Sequence, residues 1–336
     1  MAIGASRLVA SLRAFSPGAD APLHLPAHRA RCCRAWLAAV LVVAGAVTAC
    51  TRDDSDRAQP APTPGGAARP PVDDYGDAIA LTAAPATRIV SLNPTTTEIL
   101  FALGAGPRLV GRTHWDLWPD SARAVPDLGD GIDPNVEAVL SARPDVVVLY
   151  AGAGNRAAAA RLRAAGVRTI ALKVDRIADF ERAVTLLGVI AGDTARATVV
   201  RDSVTRTLAR VRSATRDRRP IAVFWHVWDA PLITIGRGSY LSELVEIAGG
   251  RNIYDSLPAP SPQVAIEDLV RRDPEVILAG PVGARRIARD PRWRPLGAVR
   301  NGRVLVVDTN LVGRPSVRLG EAAVSLANLL HPGALP

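Results

Sequence analysis

Cysteine is nearly absent from this chain: there are three in 336 residues, Cys32, Cys33 and Cys50. All three fall within the first 50 positions, so the remainder has no thiol for a disulfide, a thiolate metal site or a cysteine nucleophile. Lysine is scarcer still, with Lys173 alone against a background of arginine. Basic and acidic residues are interspersed, and no arginine-rich run is interleaved with stacking aromatics, which argues against a nucleic-acid surface. The formal net charge is +9, but five arginines and one aspartate precede Cys50, a net +4 that leaves +5 beyond it. Only His114, His226 and His331 lie after Cys50. With so few clustered acids beside them, they do not build a zinc or manganese site from protein ligands alone. No Gly-x-Ser-x-Gly elbow, phosphate-binding Walker loop or His-Glu-x-x-His motif occurs, so hydrolase chemistry has no support and the chain reads as a non-enzyme.

Long apolar runs are missing too. The best candidate, Trp36 to Val47, is too short for a comfortable membrane span. Preceded by Arg29, Arg31 and Arg34 and followed by Thr48-Ala49-Cys50, it has the layout of a secretory signal. Ending on a cysteine after small residues, it resembles a bacterial lipobox, which implies cleavage before Cys50 and lipidation of its thiol. Residues 1–49 are read as the lipoprotein signal peptide and 50–85 as a flexible tether carrying the lipidated Cys50. From Thr51 to about Ala84 the chain is rich in Pro, Gly, Ala and Asp with almost no large apolar residues. Such a tether typically spans some 30 Å and would hold the folded part off an extracytoplasmic membrane surface.

The rest of the chain is organised about the stretch Asp193 to Arg218, which contains no Gly or Pro. Ala197, Val200, Val204, Leu208 and Val211 recur at steps of three and four, one apolar stripe on a helix with Asp193 as its N-cap. Strand-like and helix-like segments alternate on either side, which argues for parallel α/β sheets. The first set runs through Arg88–Leu92, Leu109–Thr113, Asp145–Tyr150 and Arg168–Leu172, ending in a helix at Ile177–Ala191. The second runs through Ile221–Trp225, Leu232–Ile235, Glu275–Leu278 and Val304–Val307, closing in a helix at Arg318–Leu330. The predicted division is a first lobe at 86–192, a linking helix at 193–219 and a second lobe at 220–336.

One internal repeat connects the two lobes. Pro134 to Val148 matches Val264 to Leu278 at an offset of 130 positions, aligning Glu137 with Glu267 and Pro144 with Pro274. An acid in the first turn of a helix is favoured by the helix dipole alone. Its matched placement in both lobes supports a second reading, two equivalent surface handles.

Aromatics make up only 4% of the chain, so their placement carries information. Four of six tryptophans form two Trp-x-x-Trp pairs, Trp115/Trp118 and Trp225/Trp228, each at the end of a predicted strand. Ligands of open α/β sheets bind at such strand ends, and Tyr150 ends its own strand there. Either ligand contact or core packing accounts for any single tryptophan. His114 and His226 adjoin the pairs, as rim residues or as axial ligands to a bound metal centre. Gly152-Ala-Gly154, with Asp175 about 20 residues on, approximates a dinucleotide fingerprint and keeps open an exported NAD-dependent oxidoreductase.

Arg88-Ile-Val-Ser-Leu-Asn-Pro-Thr-Thr-Thr-Glu-Ile-Leu-Phe-Ala-Leu-Gly, Leu109-Val-Gly-Arg-Thr, Asn135 to Asp145 and Ser239 to Tyr254 resemble the periplasmic solute-binding proteins for cobalamin and ferric siderophores. The resemblance runs in consistent order from Arg88 to Pro332. It implies two Rossmann-like α/β lobes joined by one long backbone helix, with a ligand cleft between them and no resident cofactor. It implies that Glu137 and Glu267 dock onto the permease of an ABC transporter, powered by its ATPase, and that the chain acts as a monomer. For the cleft it implies Trp115, Tyr150, His226, Val227, Trp228 and Arg314, with Arg112 and Arg237 as further arginine candidates. The ligand it favours is a corrinoid such as cobalamin; the alternative is a ferric siderophore or haem. Ala265 stands where a serine cap is common, which predicts a less rigidly held second handle.

Overall fold

In the computed structural model, residues 71–82 and 84–335 are described; the signal segment, Cys50 and the tether as far as Pro70 lie outside them. The first lobe runs β1 (Ile89–Leu92), α1 (Pro94–Ala102), β2 (Leu109–Gly111), α2 (Val136–Ser141), β3 (Val146–Tyr150), α3 (Arg156–Ala164), β4 (Arg168–Leu172) and α4 (Ile177–Ala191). Its strands form a parallel sheet of order β2-β1-β3-β4. Next comes the linking helix α5 (Thr194–Thr215). The second lobe opens with β5 (Ile221–His226), a two-stranded hairpin of β6 (Trp228–Asp229) and β7 (Leu232–Ile233), α6 (Tyr240–Ile247) and β8 (Gly250–Asn252). It continues through α7 (Ile266–Arg272), β9 (Val276–Ala279), α8 (Pro281–Arg289), α9 (Gly297–Arg300), β10 (Val304–Val306), α10 (Thr309–Val312) and α11 (Leu319–Leu330). Its main sheet is also parallel, of order β10-β9-β5-β8. The central strands β1, β3 and β9 are near-continuous runs of Val, Ile and Leu because helices cover both faces of each sheet.

Helix α5 crosses from one lobe to the other and is fastened at each end. Its N-terminus is capped by Asp193, whose Oδ1 accepts from Arg196 N at 2.8 Å, and Arg196 Nε donates to Ala102 O of the first lobe at 2.7 Å. Near its C-terminus, buried Thr215 donates through Oγ1 to Ile247 O of the second lobe at 2.9 Å. Between these ends Ala197, Val204, Leu208 and Val211 are buried, as the stripe predicts, and Val200 packs at its margin. They join Leu187 of α4, Leu244 of α6 and Leu326 of α11 in one continuous apolar cluster that spans both lobes. Burying each valine or leucine contributes about 1.5–3 kcal/mol, so the lobes share a core across α5 instead of meeting at a loose joint. Glycines bring the flanking helices close to it. A Cβ at Gly188 of α4 would lie 2.4 Å from Ala197 Cβ, and one at Gly320 of α11 would lie 2.9 Å from Thr207 Cβ. The helix has 22 residues, about 33 Å, and ends three residues short of the sequence reading, because Arg216 to Arg218 turn toward Pro220.

The chain also departs from its predicted tether. Pro71 to Thr82, assigned to the flexible segment by composition, lie along the open edge of β4. Asp74 N donates to Ala171 O at 2.9 Å, and Ala171 N donates back to Asp73 Oδ2 at 3.0 Å. Asp73 is buried, caps its own turn by accepting from Tyr75 N and Asp77 N, and pairs with Arg163. Covering a sheet edge in this way blocks pairing with foreign strands. Composition hides it because carboxylates make the edge contacts and Ile79 is the single buried apolar side chain among residues 71–82.

Candidate functional site

The ligand candidates all follow the carboxyl ends of parallel strands: Trp115 after β2, Tyr150 ending β3, His226 to Trp228 at and after β5, and Arg314 after β10. Trp115 is held out by the residue next to it. Asp116 is fully buried; its Oδ2 accepts from Thr97 Oγ1 at 2.6 Å and its Oδ1 from Thr113 Oγ1 at 2.7 Å. With that carboxylate pinned inward, Trp115 is 49% exposed and its ring lies 4.5 Å from exposed His114. Burial pushes the Asp116 carboxyl above its ordinary range, against the lowering effect of the threonine bonds.

In the second lobe the β6–β7 hairpin does similar work. Val227 N donates to Ile233 O at 3.0 Å, and the turn presents Val227 and Trp228 to solvent at 43% and 49%. Trp228 Nε1 donates to Ala230 O at 3.1 Å. The other members of the tryptophan pairs differ: Trp225 is buried in the core, and half-buried Trp118 lies 5.2 Å beneath the Arg318 guanidinium. His226 is only 5% exposed, with Nε2 at 2.8 Å from Asp229 Oδ1 and its ring edge-on to Trp293. Burial opposes ionisation of Asp229, but bonds from Arg286 and His226 hold its carboxyl below the ordinary range.

Trp225, His226, Val227, Trp228, Tyr240 and Val312 are among the residues lining a cavity of about 380 Å³ at the carboxyl ends of β5 and β9. A larger and more open groove of about 640 Å³ lies on the outer surface between Val72, Leu81, Leu186 and Val189, away from those strand ends and without aromatics. Strand-end placement and convergent aromatic and polar groups favour the smaller cavity as the functional one. Tyr150, from the first lobe, donates through Oη to Asp175 Oδ1 at 2.9 Å. Burial first, then Asp175, raises its hydroxyl above the ordinary value, so it remains a protonated donor. Asp175 O in turn accepts from Tyr240 N at 2.9 Å, which joins the two lobes. The glycine-rich turn after β3 has structural uses of its own. A Cβ at Gly152 would lie 3.1 Å from the Tyr150 ring, and Gly152 O accepts from the Tyr75 hydroxyl.

Arg314 is partly buried, with 20% of its side chain exposed. Its Nη1 donates to Glu98 Oε1 at 3.2 Å and to Trp115 O at 3.4 Å. Glu98, on α1, is 1% exposed and also accepts from Ser316 Oγ. Burial raises the Glu98 carboxyl above its ordinary value of 4.5, partly offset by Ser316, Arg314 and Arg318. A carboxyl raised on folding gives stability that is complete below its unfolded value and lost as pH climbs through the folded one. Urea unfolding from pH 4.5 to 7.5 should therefore show the parent chain losing ground to Glu98→Gln as pH rises; parallel pH profiles would refute the raised carboxyl. Neither Glu98 nor Asp116 was singled out by sequence reading. For Glu98 the available signal is an acid alone in the otherwise acid-free helix Pro-Thr-Thr-Thr-Glu-Ile-Leu-Phe-Ala.

Glu137 and Glu267 occupy equivalent places in α2 and α7, both exposed in the first turn. Glu137 pairs with Arg161 at 3.2 Å. The repeat extends to the backbone: Arg143 and Asp273, 130 positions apart, end their helices at φ 48 and φ 38. It extends further to the carboxylates that follow. Asp145 accepts from Thr87 N and Glu275 from Ala222 N, each fixing the start of its lobe's central strand. The caps differ: Asn135 accepts from Ala138 N at 3.1 Å, whereas Ala265 makes no side-chain cap. Ala265 already has extended N-cap geometry, φ −91 and ψ 144. Ala265→Ser should stabilise the chain by about 1 kcal/mol, read as a raised denaturation midpoint; no change would mean that the serine hydroxyl does not reach the free amides. Among the described residues no cluster of three or more His, Cys, Asp or Glu side chains is placed to hold a metal ion.

The profile of the periplasmic binding protein family matches residues 89–311. A cobalamin-binding protein of Halobacterium salinarum is 30% identical over 261 residues, covering 73% of this chain and 69% of the relative. Among solved structures, the periplasmic vitamin B12 binding protein of Vibrio cholerae superposes with a TM-score of 0.66 at 25% identity, covering 73% of this chain and 97% of that one. A periplasmic heme binding protein from Pseudomonas aeruginosa superposes with a TM-score of 0.67, also at 25% identity, over 75% of this chain and 95% of the other. With two parallel α/β lobes hung on one helix and the family profile spanning both, the chain belongs to the periplasmic binding protein family.

Proposed function

We propose that this chain is the substrate-binding component of an ABC importer, anchored outside the cytoplasm through lipid on Cys50, and that it delivers a corrinoid such as cobalamin to the permease. No chemical step is involved: the ligand settles between the lobes, and the lobes dock through Glu137 and Glu267. The observation that carries the corrinoid reading is the division of labour at the cleft. Trp115, on the loop after β2, and Trp228, on β6, stand half exposed, one per lobe, and suit a broad, partly apolar ligand. Two of the three candidate arginines are already answered by the protein: Arg112 donates to Ala122 O at 2.9 Å and Thr113 O at 2.7 Å, and Arg314 is paired with Glu98. A ferric catecholate needs several free cations, and of these three arginines only Arg237 is exposed. The cavity in the second lobe is at the small end for a ligand of this size, so a corrinoid would lie across both lobes with one part inside it. Likeness to cobalamin-binding relatives supports the same reading; likeness to a haem-binding structure keeps haem or a ferric siderophore as the second one.

The test is titration of tryptophan fluorescence in the mature chain with cobalamin, ferric siderophores, haem and NAD. The expected result is quenching by cobalamin at micromolar concentration or below. Quenching by a ferric chelate or haem but not by cobalamin would replace the corrinoid with the second reading, and turnover of NAD would overturn the binding-protein role.

A further inference from the structure

We infer that Glu98 determines ligand specificity: by pairing with Arg314 it withholds that guanidinium from anionic ligands and reserves the cleft for ligands without a carboxylate or catecholate at that position. The inference rests on the cleft being the ligand site and deepens the corrinoid reading. Glu98 belongs to the first lobe, yet both hydrogen-bond partners of its side chain, Arg314 and Ser316, come from the second. Folding of the first lobe alone gives no reason to bury a carboxylate there, and such burial is costly unless the partners meet it well. The partner cation is placed where a ligand would feel it. Arg314 keeps 20% of its side chain exposed, and the nitrogen that meets Glu98 also lies 3.4 Å from the carbonyl of half-exposed Trp115.

The neighbouring arginines are answered in the same way. Arg318 pairs with Glu321 at 3.1 Å while lying over Trp118, and Arg112 lies 3.7 Å from Asp127. The rim around the first tryptophan pair thus carries three guanidinium groups, each with an acidic partner. Of these acids Glu98 alone is deeply buried, so it is the one whose loss leaves a cation with no solvated substitute. Removing one member of a buried pair exposes the other to whatever anion reaches it.

The experiment compares haem, which carries two carboxylates, with cobalamin in the mature chain and in Glu98→Gln. Haem affinity is expected to rise by about tenfold or more in Glu98→Gln while cobalamin affinity changes by no more than about threefold. Glu98→Gln combined with Arg314→Met should lose the gain, and Glu98→Asp should return toward the parent. Unchanged haem affinity in a folded Glu98→Gln, or equal weakening of both ligands, would overturn the proposal, the latter because it marks a purely structural role. Should Glu98→Gln not fold, Ser316→Ala leaves Arg314 as the only partner of the Glu98 carboxylate; haem affinity is then expected to stay at or below that of the parent, and a rise of about threefold or more overturns the proposal. If the parent does not bind cobalamin, the corrinoid reading fails, while the haem comparison between parent and variant still decides the role of Glu98.

Discussion

Gly188→Leu should destabilise the protein by roughly 3 kcal/mol or more, at the upper end of overpacking penalties. Two effects oppose each other at this position. Replacing a mid-helix glycine gains about 1 kcal/mol of helix propensity. Against it, even the first added carbon would lie 2.4 Å from Ala197 Cβ, where carbons normally rest about 3.5–4.0 Å apart. The helices α4 and α5 would have to separate by more than 1 Å, and α5 cannot move freely because Arg196 and Thr215 fasten its two ends to different lobes. The steric effect therefore wins. Urea unfolding of Gly188→Leu, with Gly188→Leu/Ala197→Gly as partial rescue, measures it. A variant as stable as the parent would mean that the helices are not in close contact.

Glu137→Ala combined with Glu267→Ala should abolish uptake and leave ligand affinity unchanged. Both side chains are exposed and lie in the first turns of α2 and α7, while the ligand candidates follow the carboxyl ends of β2, β3, β5 and β10. Glu137 has one surface partner, Arg161, and exposed pairs of this kind contribute little to stability, so the variant should remain folded. Each single variant should retain part of the uptake, because one charged handle remains. Uptake of labelled cobalamin by cells, set beside fluorescence titration of the purified variant, separates the two effects. Lost ligand affinity, or full uptake, would show that the acids are not permease handles.

Much of the fold was legible because its signals are local. Arg168–Leu172 and Ile177–Ala191 are bounded in the structure as periodicity placed them, and the stripe on α5 faces the shared core. Elements fixed by tertiary partners were not legible. Strand β8 is Gly-Arg-Asn, with no β-branched residue, and exists because it pairs with β5 while Asn252 Nδ2 donates to Ile235 O at 3.0 Å. The strand expected at Leu232–Ile235 shrinks to two residues, because beyond Ile233 the backbone bonds to the 260–262 segment, Thr234 N to Pro262 O and Gly236 N to Pro260 O, each at 3.1 Å. Helix α8 had a readable start in Gly280-Pro281, proline at the first helical position, but only Ile287 is buried to mark its face. At the site, aromatic scarcity pointed to Trp115 and Trp228. It could not reveal Glu98 and Asp116, whose roles depend on which arginine and threonines the fold brings to them.

We propose that a corrinoid occupies the cleft between the lobes. The most direct test is elemental analysis and native mass spectrometry of the protein isolated from corrinoid-supplied cells without unfolding. One cobalt per chain, with a mass increment matching an intact corrinoid, is the predicted result. Iron in place of cobalt, or the mass of haem or a siderophore, would contradict it.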